Sequence, residues 1–183
     1  MHQNVSADMP IDELIPAACA QIPDYPKEGI LFYDVTTLFA HPEVFKRSID
    51  ELVHRFKGTF DIVAGVEARG FLMASAIAYA AGTGVMTVRK AGKLPRDTFT
   101  KEYELEYGSA AIEIHRDDIP AGTRVLIVDD LLATGGTLAA AAFLMEQAQL
   151  KVAGIGVLLE LDGLGGREAI GNYTIEALST VTE

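Results

Sequence analysis

The chain has 183 residues, 49% of them hydrophobic and 22% charged, with a formal net charge of −11. That length gives an expectation of one domain over 1–183 with a substantial core, and the acidic balance argues against non-specific binding to nucleic acid or an anionic membrane. The single Cys19 excludes an internal disulfide, and no apolar run reaches the ~18 residues of a transmembrane helix; with a polar start that lacks a basic-then-apolar signal pattern, the expected compartment is the cytoplasm.

Residues 1–10 read as a loose leader. Ile11, Leu14, Ile15, Ala18 and Ile22 follow helical spacing, and Cys19 within that stretch is expected to be a packed core thiol. Residues 22–29 hold Pro23, Pro26 and Gly29 and form a turn-rich segment. A short strand is expected over 30–35, then a helix from His41 to about Phe56, ended by Lys57-Gly58. Asp61 to Val66 reads as a buried strand that delivers Glu67-Ala68-Arg69-Gly70 to its carboxyl end. Phe71 to Ala81 is nearly all apolar, so that helix is expected to be buried. Val85 to Val88 is a third strand, ending at Arg89-Lys90. Ala91 to Ser109 is long and polar and reads as a flap, because loops of this length often serve as lids. Ala111 to His115 alternates and is expected at a sheet edge.

The most informative stretch comes next. Val125-Leu126-Ile127-Val128 suits a strand buried on both faces. It is expected to end at Asp129-Asp130, followed by the turn Ala133-Thr134-Gly135-Gly136-Thr137 and a helix over 138–149. A strand over 152–161, a loop or short helix over 164–168 and a strand over 173–181 complete the chain. The alternation gives an α/β fold with a mainly parallel central sheet flanked by helices.

Ligands of open parallel sheets bind at the carboxyl ends of the strands. Three such ends carry functional groups: Glu67 to Gly70, Arg89-Lys90, and Asp129 to Thr137. The Thr-Gly-Gly-Thr turn before a helix suits a phosphate, since glycines admit close approach and the helix start offers unpaired N–H groups. The spacing is not that of a Walker loop. Two acids beside a phosphate cradle would repel a bare nucleotide phosphate, but suit sugar hydroxyls or a divalent metal. A phosphorylated ribose fits both halves. Residues 89–101 hold five basic residues against one acid, which in an acidic protein suggests a small polyanion; a solvated charged loop is the alternative. Arg69 and Lys90 would meet a pyrophosphate through charge-assisted hydrogen bonds, with Lys93 joining on flap closure. The alternative for Arg69 is a surface ion pair, and Glu67 serves either to orient Arg69 or to bind ligand. The four histidines form no cluster with metal-ligand spacing.

The string Val125 to Thr137 resembles the 5-phosphoribosyl pyrophosphate (PRPP) signature of the type I phosphoribosyltransferases. Further segments look like the adenine-specific branch of that family: Ile22 to Pro26 with Gly29 to Phe32 and Asp34 to Thr36, Glu67 to Phe71, Val88 to Lys90 with Gly92 to Pro95, and Tyr103 to Gly108. The resemblance covers about 22–168. It implies the type I fold with a hood and a flexible flap over about 91–109. It also implies conversion of adenine and PRPP to AMP and pyrophosphate in purine salvage, Mg²⁺ carried by substrate oxygens with no dedicated protein metal site, and a homodimer with residues 67–71 near its interface. By that resemblance Ala133, Thr134, Gly135, Gly136 and Thr137 bind the 5′-phosphate. Asp129 and Asp130 face the ribose, and Arg69, Arg89, Lys90 and Lys93 the pyrophosphate. Glu106 and Tyr107 close over the site, with Glu106 as flap acid/base. Leu31 and Tyr33 belong to the hood around adenine. Tyr103 either stacks on the purine or anchors the flap. The chain departs from frequent family residues at Glu28, Tyr33 and Ala91; Tyr33, where Arg is common, bears on base affinity. Transfer to another purine such as xanthine or guanine, and a PRPP-sensing regulator, are the competing expectations.

Overall fold

The structure is a computed structural model and describes residues 8–104 and 108–182. The first helix, α1 (Ile11–Ala18), buries Leu14 and Ile15. It is shorter than its apolar spacing predicts. Pro16 lies in its last turn and Cys19 is extended, so the chain leaves the helix and forms β1 (Ala20–Pro23). Ile22, which fitted the helical period, is instead an exposed strand residue. β1 pairs antiparallel with β2 (Leu31–Asp34) in a separate two-stranded sheet. A short helix, α2 (Thr36–Phe39), leads into α3 (Pro42–Arg55).

A seven-stranded sheet forms the centre. Its members are β3 (Ile62–Val66), β4 (Gly84–Lys90), β5 (Thr98–Glu104), β6 (Ser109–His115), β7 (Arg124–Leu132), β8 (Lys151–Asp162) and β9 (Ile175–Thr182), in the order β5-β6-β4-β3-β7-β8-β9. The β4-β3-β7-β8-β9 portion is parallel. β6 runs antiparallel to β4, and β5 antiparallel to β6.

Within the stretch expected as a flap loop, residues 98–104 form a regular edge strand, so β6 lies one strand in from the edge. The reason is a period-two face hidden by its charges. Phe99 and Tyr103 pack against the core, and between them Lys101 sets its ammonium over the Phe143 ring, with Nζ 4.3 Å from the centroid. A lysine thus takes part in the inward face through a cation–π contact while counting as polar in the sequence.

Two cores lie on opposite faces of the sheet. One joins α1, α3 and α4 (Gly70–Ala81) to Val63, Leu126 and Val128; the other joins α5 (Gly136–Gln147) to Ala64, Ile127 and Ile155. Successive residues of β3 and β7 therefore serve different cores, which is why both strands read as unbroken apolar runs. Helix α4 is buried on one face only. Met73, Ala74 and Ile77 are inside, whereas Leu72 is 54% and Tyr79 92% exposed.

Small residues set how closely helices approach the sheet. A Cβ at Gly65 would stand 2.7 Å from the Ala74 side chain and 2.8 Å from the Gly70 carbonyl oxygen, and a Cβ at Gly70 would stand 2.7 Å from the Val128 carbonyl oxygen. The start of α4 is thereby pressed against the carboxyl ends of β3 and β7, where the functional residues collect. At Gly154 a Cβ would stand 2.4 Å from the Phe56 ring, so α3 also needs a bare backbone beneath it.

Candidate active site

β4, β3 and β7 are adjacent and parallel, so their carboxyl ends open on the same edge of the sheet. The three polar strand ends read from the sequence are therefore neighbours. β7 continues beyond the acid pair to Leu132, so Asp129 and Asp130 sit within the strand and are held by its ladder. Asp130 is 4% exposed. Its Oδ2 lies 2.8 Å from Arg69 Nε, and its amide donates to Asp129 Oδ1 at 2.9 Å. Burial, and then the charge of Asp130, push the Asp129 carboxyl well above its ordinary value, while Arg69 acts in the opposite direction. Two carboxylates this close ionise together only with a cation beside them. Arg69 is that cation, and its side chain remains 42% exposed.

Glu67 does not orient Arg69. Its Oε2 accepts the Lys90 amide at 2.9 Å and Arg89 Nε at 3.3 Å. The Lys90 amide is the chief cause of a lowered Glu67 carboxyl; burial opposes it and Arg89 adds to it. Glu67 thus ties the end of β3 to the end of β4. Arg89 also donates from Nη1 to the Lys93 carbonyl at 3.2 Å. The cationic residues Arg89, Lys90 and Lys93 are joined through backbone and side chain into one short segment.

The turn 133–137 begins α5. Gly135 has φ +78°, a left-handed conformation that a side chain disfavours. It also has no room for one, because a Cβ would meet the Gly166 carbonyl oxygen at 2.4 Å. Gly166 opens α6 (Gly166–Ile170), which is anchored by paired Arg167–Glu160 hydrogen bonds of 2.7 Å each. No side chain caps the start of α5, so its first amides suit an anion. From the other side, Thr137 Oγ1 donates to the Tyr103 hydroxyl at 3.2 Å, and Gly136 faces the Glu104 carbonyl. Tyr103 anchors the flap strand to the turn; it is not placed for stacking by this contact.

The β1–β2 ribbon is the segment expected to form the hood. Leu31 and Tyr33 are half-buried in β2, and Asp34 accepts from the Thr36 hydroxyl at 2.7 Å and its amide at 3.0 Å. The Thr36 hydroxyl and amide lower the Asp34 carboxyl against the effect of burial, and Arg69 contributes. Cys19 is buried behind the acids; burial, with Asp34 and Asp130 adding, pushes its thiol up to about 12. That suits a core thiol, not a nucleophile.

A phosphoribosyl transferase domain model matches residues 34–181. The chain belongs to the phosphoribosyltransferase family. An adenine phosphoribosyltransferase from Renibacterium salmoninarum is 60% identical over 168 residues, 92% of each chain. Among solved structures, adenine phosphoribosyltransferase from Thermoanaerobacter pseudethanolicus has a TM-score of 0.88 at 46% identity, covering 92% of this chain and 99% of that one. The enzyme from Saccharomyces cerevisiae, complexed with an imino-altritol bisphosphate and adenine, has a TM-score of 0.86 at 42% identity, covering 92% and 98%. The mainly parallel sheet and its flanking helices are the type I phosphoribosyltransferase fold.

Of the residues singled out in the sequence, this phosphoribosyltransferase brings Arg69, Arg89, Lys90, Lys93, Asp129, Asp130 and 133–137 to one edge of its sheet. Glu106 and Tyr107 lie outside the described residues. Sequence reasoning missed Glu113, which is 5% exposed and accepts the amides of Lys93 and Leu94. The signal was a charged residue between two core isoleucines, but alternation alone does not say what faces it. It also missed Gly166, whose partner is a backbone atom far away in sequence.

Proposed function

We infer that the chain transfers the 5-phosphoribosyl group of PRPP to adenine, releasing pyrophosphate and forming AMP, as a purine-salvage enzyme. The observation that carries this reading is the meeting of three kinds of group at adjacent strand ends: a phosphate turn on β7–α5, an acid pair within β7, and a cationic segment after β4. PRPP presents a 5′-phosphate, ribose hydroxyls and a pyrophosphate in matching order. The choice of adenine follows the relatives, which carry that activity in name over nearly the full chain.

In the reaction the purine imidazole nitrogen attacks the anomeric carbon, and the bond from that carbon to the pyrophosphate oxygen breaks. Positive charge develops on the sugar and negative charge on the leaving group. Thr134, Gly135, Gly136 and Thr137 with Ala133 hold the 5′-phosphate. Asp129 and Asp130 face the ribose and offset its positive charge, with Arg69 keeping the pair ionisable. Arg89, Lys90 and Lys93 receive the pyrophosphate. Leu31 and Tyr33 frame the base, Tyr107 covers it, and Glu106 takes the imidazole proton. Flap closure excludes water from the reactive carbon.

Among the described residues no three metal-ligating side chains form a cluster. The paired carboxylates of Asp129 and Asp130 fit Mg²⁺ brought in by the substrate, because Mg²⁺ usually binds through substrate phosphates with one or two carboxylates. When bound it would neutralise charge on the leaving group; Asp129 and Asp130 are the carboxylates nearest the ribose side of the site.

A homodimer is proposed from α4. Its outward face carries Leu72 and Tyr79, and Val85 on β4 is 46% exposed. A helix apolar on all sides is normally covered on all sides, and this one starts directly after 67–69. Among the described residues no helix is long and apolar enough to cross a membrane. The proposed setting is the cytoplasm, with 1–183 acting as one transferase domain. The deciding assay is PRPP-dependent conversion of labelled adenine, hypoxanthine, guanine and xanthine. Adenine is expected to be converted in clear preference; conversion of none would remove the enzyme reading, and preference for another purine would remove the base assignment.

A further inference from the structure

β6 delivers a carboxylate to a position that its sequence pattern assigns to solvent. Ile112 and Ile114 turn into the core, so Glu113 between them points to the opposite face. That face is covered by the turn between β4 and β5. Glu113 Oε1 accepts the Lys93 amide at 2.9 Å and the Leu94 amide at 2.8 Å. In the β4–β6 register Glu113 is the partner of Arg89, and Arg89 Nη1 donates to the Lys93 carbonyl at 3.2 Å. The Lys93 backbone is thus held at its N–H by one side chain and at its C=O by another. Arg89 and the Lys90 amide are held in turn by Glu67.

A buried carboxylate is unfavourable unless its lone pairs are satisfied. Burial raises the Glu113 carboxyl, and the amides of Leu94, Gly92 and Lys93 with the Thr98 hydroxyl outweigh it, leaving the group below its ordinary range and charged at neutral pH. Its hydrogen bonds go to the backbone of a turn whose side chains are the cations. A lysine is a point charge on a flexible stem, so fixing the backbone beneath it limits where that charge can be.

We propose that Glu113 is the positioning residue of the diphosphate site, holding the Lys93–Leu94 backbone so that Lys93 and Arg89 converge on the leaving group. This deepens the transferase reading and rests on it. Glu113 does not touch substrate; it acts through the turn.

The test compares ligands of the two halves of the site. Pyrophosphate and AMP are titrated separately into the wild type and Glu113→Gln, with thermal unfolding in parallel. The expected result is a pyrophosphate dissociation constant, and a KM for PRPP, raised about tenfold, with AMP affinity and the KM for adenine within about twofold. A fall in both affinities alike, or in neither, overturns the proposal. If the variant fails to fold, amide hydrogen exchange on the wild type decides. Slowing at Lys93 and Leu94 by pyrophosphate and not by AMP supports the proposal; exchange without that selectivity overturns it. A wild type that binds neither ligand and converts no purine overturns the transferase reading and the proposal with it, whereas normal wild-type turnover with an unselective variant overturns the proposal alone.

Discussion

Replacing Arg69 by Met tests the electrostatics of the acid pair. The substitution keeps an apolar stem of similar length and removes the only cation in ion-pair distance of Asp130 among the described residues. Asp130 is 4% exposed, so its carboxylate would be left buried beside Asp129. A charge-assisted hydrogen bond contributes about 1.5–3 kcal/mol. The Arg69 side chain is 42% exposed, so water screens part of that, and about 1–2 kcal/mol is the loss to expect at neutral pH. For a protein of this size each kcal/mol lowers Tm by roughly 2–4 °C. The loss should depend on pH with a definite sign. The Asp129 carboxyl is already raised in the folded state, so the folded protein binds more protons than the unfolded one above the ordinary aspartate range. Stability therefore falls as pH rises through the window from that ordinary value up to the raised one. Without Arg69 the carboxyl is raised further and the window widens upward. Urea unfolding of both proteins over a pH series running upward from the ordinary aspartate range should show the deficit of the variant growing once pH passes the raised value of the wild-type carboxyl, and turnover lowered at least about tenfold, which corresponds to ~1.4 kcal/mol. A deficit that stays constant across the whole series, or is absent, would refute the role given to Arg69.

Three further substitutions probe other parts of the account. Gly135→Ala places a Cβ in a left-handed backbone, 2.4 Å from the Gly166 carbonyl oxygen; strain of about 1–3 kcal/mol should weaken AMP binding at least about tenfold by calorimetry, and unchanged binding would detach the turn from the 5′-phosphate. Gly154→Ala overpacks the Phe56 ring on the far side of the sheet and should lower stability by about 1–3 kcal/mol in urea, with kcat/KM of the folded protein little altered. Glu106→Gln should reduce kcat far more than PRPP affinity, about a hundredfold if the residue is the proton acceptor; equal turnover would remove that role.

The middle of the parallel half was legible because β3 and most of β7 are buried on both faces. Ile62 to Val66 and Val125 to Val128 have no polar residue to interrupt them, and each is followed by a helix whose start is marked by glycine. The site was legible for the same reason: parallel neighbours send Arg69, Lys90 and Asp129 to one edge whatever the details of packing. The edge of the sheet was not. In β5 the inward face is Phe99, Lys101 and Tyr103, and a lysine there breaks the apolar pattern although its ammonium sits on the Phe143 ring. The α1–β1 boundary was missed because Ile22 continues the helical spacing although the backbone turns extended at Cys19. Glu113 was missed because alternation says which side of a strand a residue takes, not what covers that side. Nor does sequence spacing reveal that Glu67 pairs with Arg89 and Arg69 with Asp130, since both choices lie within reach of the same strand ends.

In the proposed division of PRPP along one sheet edge, the phosphate is held at 133–137 and the pyrophosphate at the end of β4 and the turn after it, with the acid pair between. A crystal structure of the chain with AMP, pyrophosphate and Mg²⁺ decides this. The AMP phosphate is expected on the amides of Thr134 to Thr137, the ribose against Asp129 and Asp130, and pyrophosphate beside Arg89, Lys90 and Lys93. An AMP phosphate seated on the cationic segment instead, with the 133–137 turn making no contact to either ligand, would contradict it.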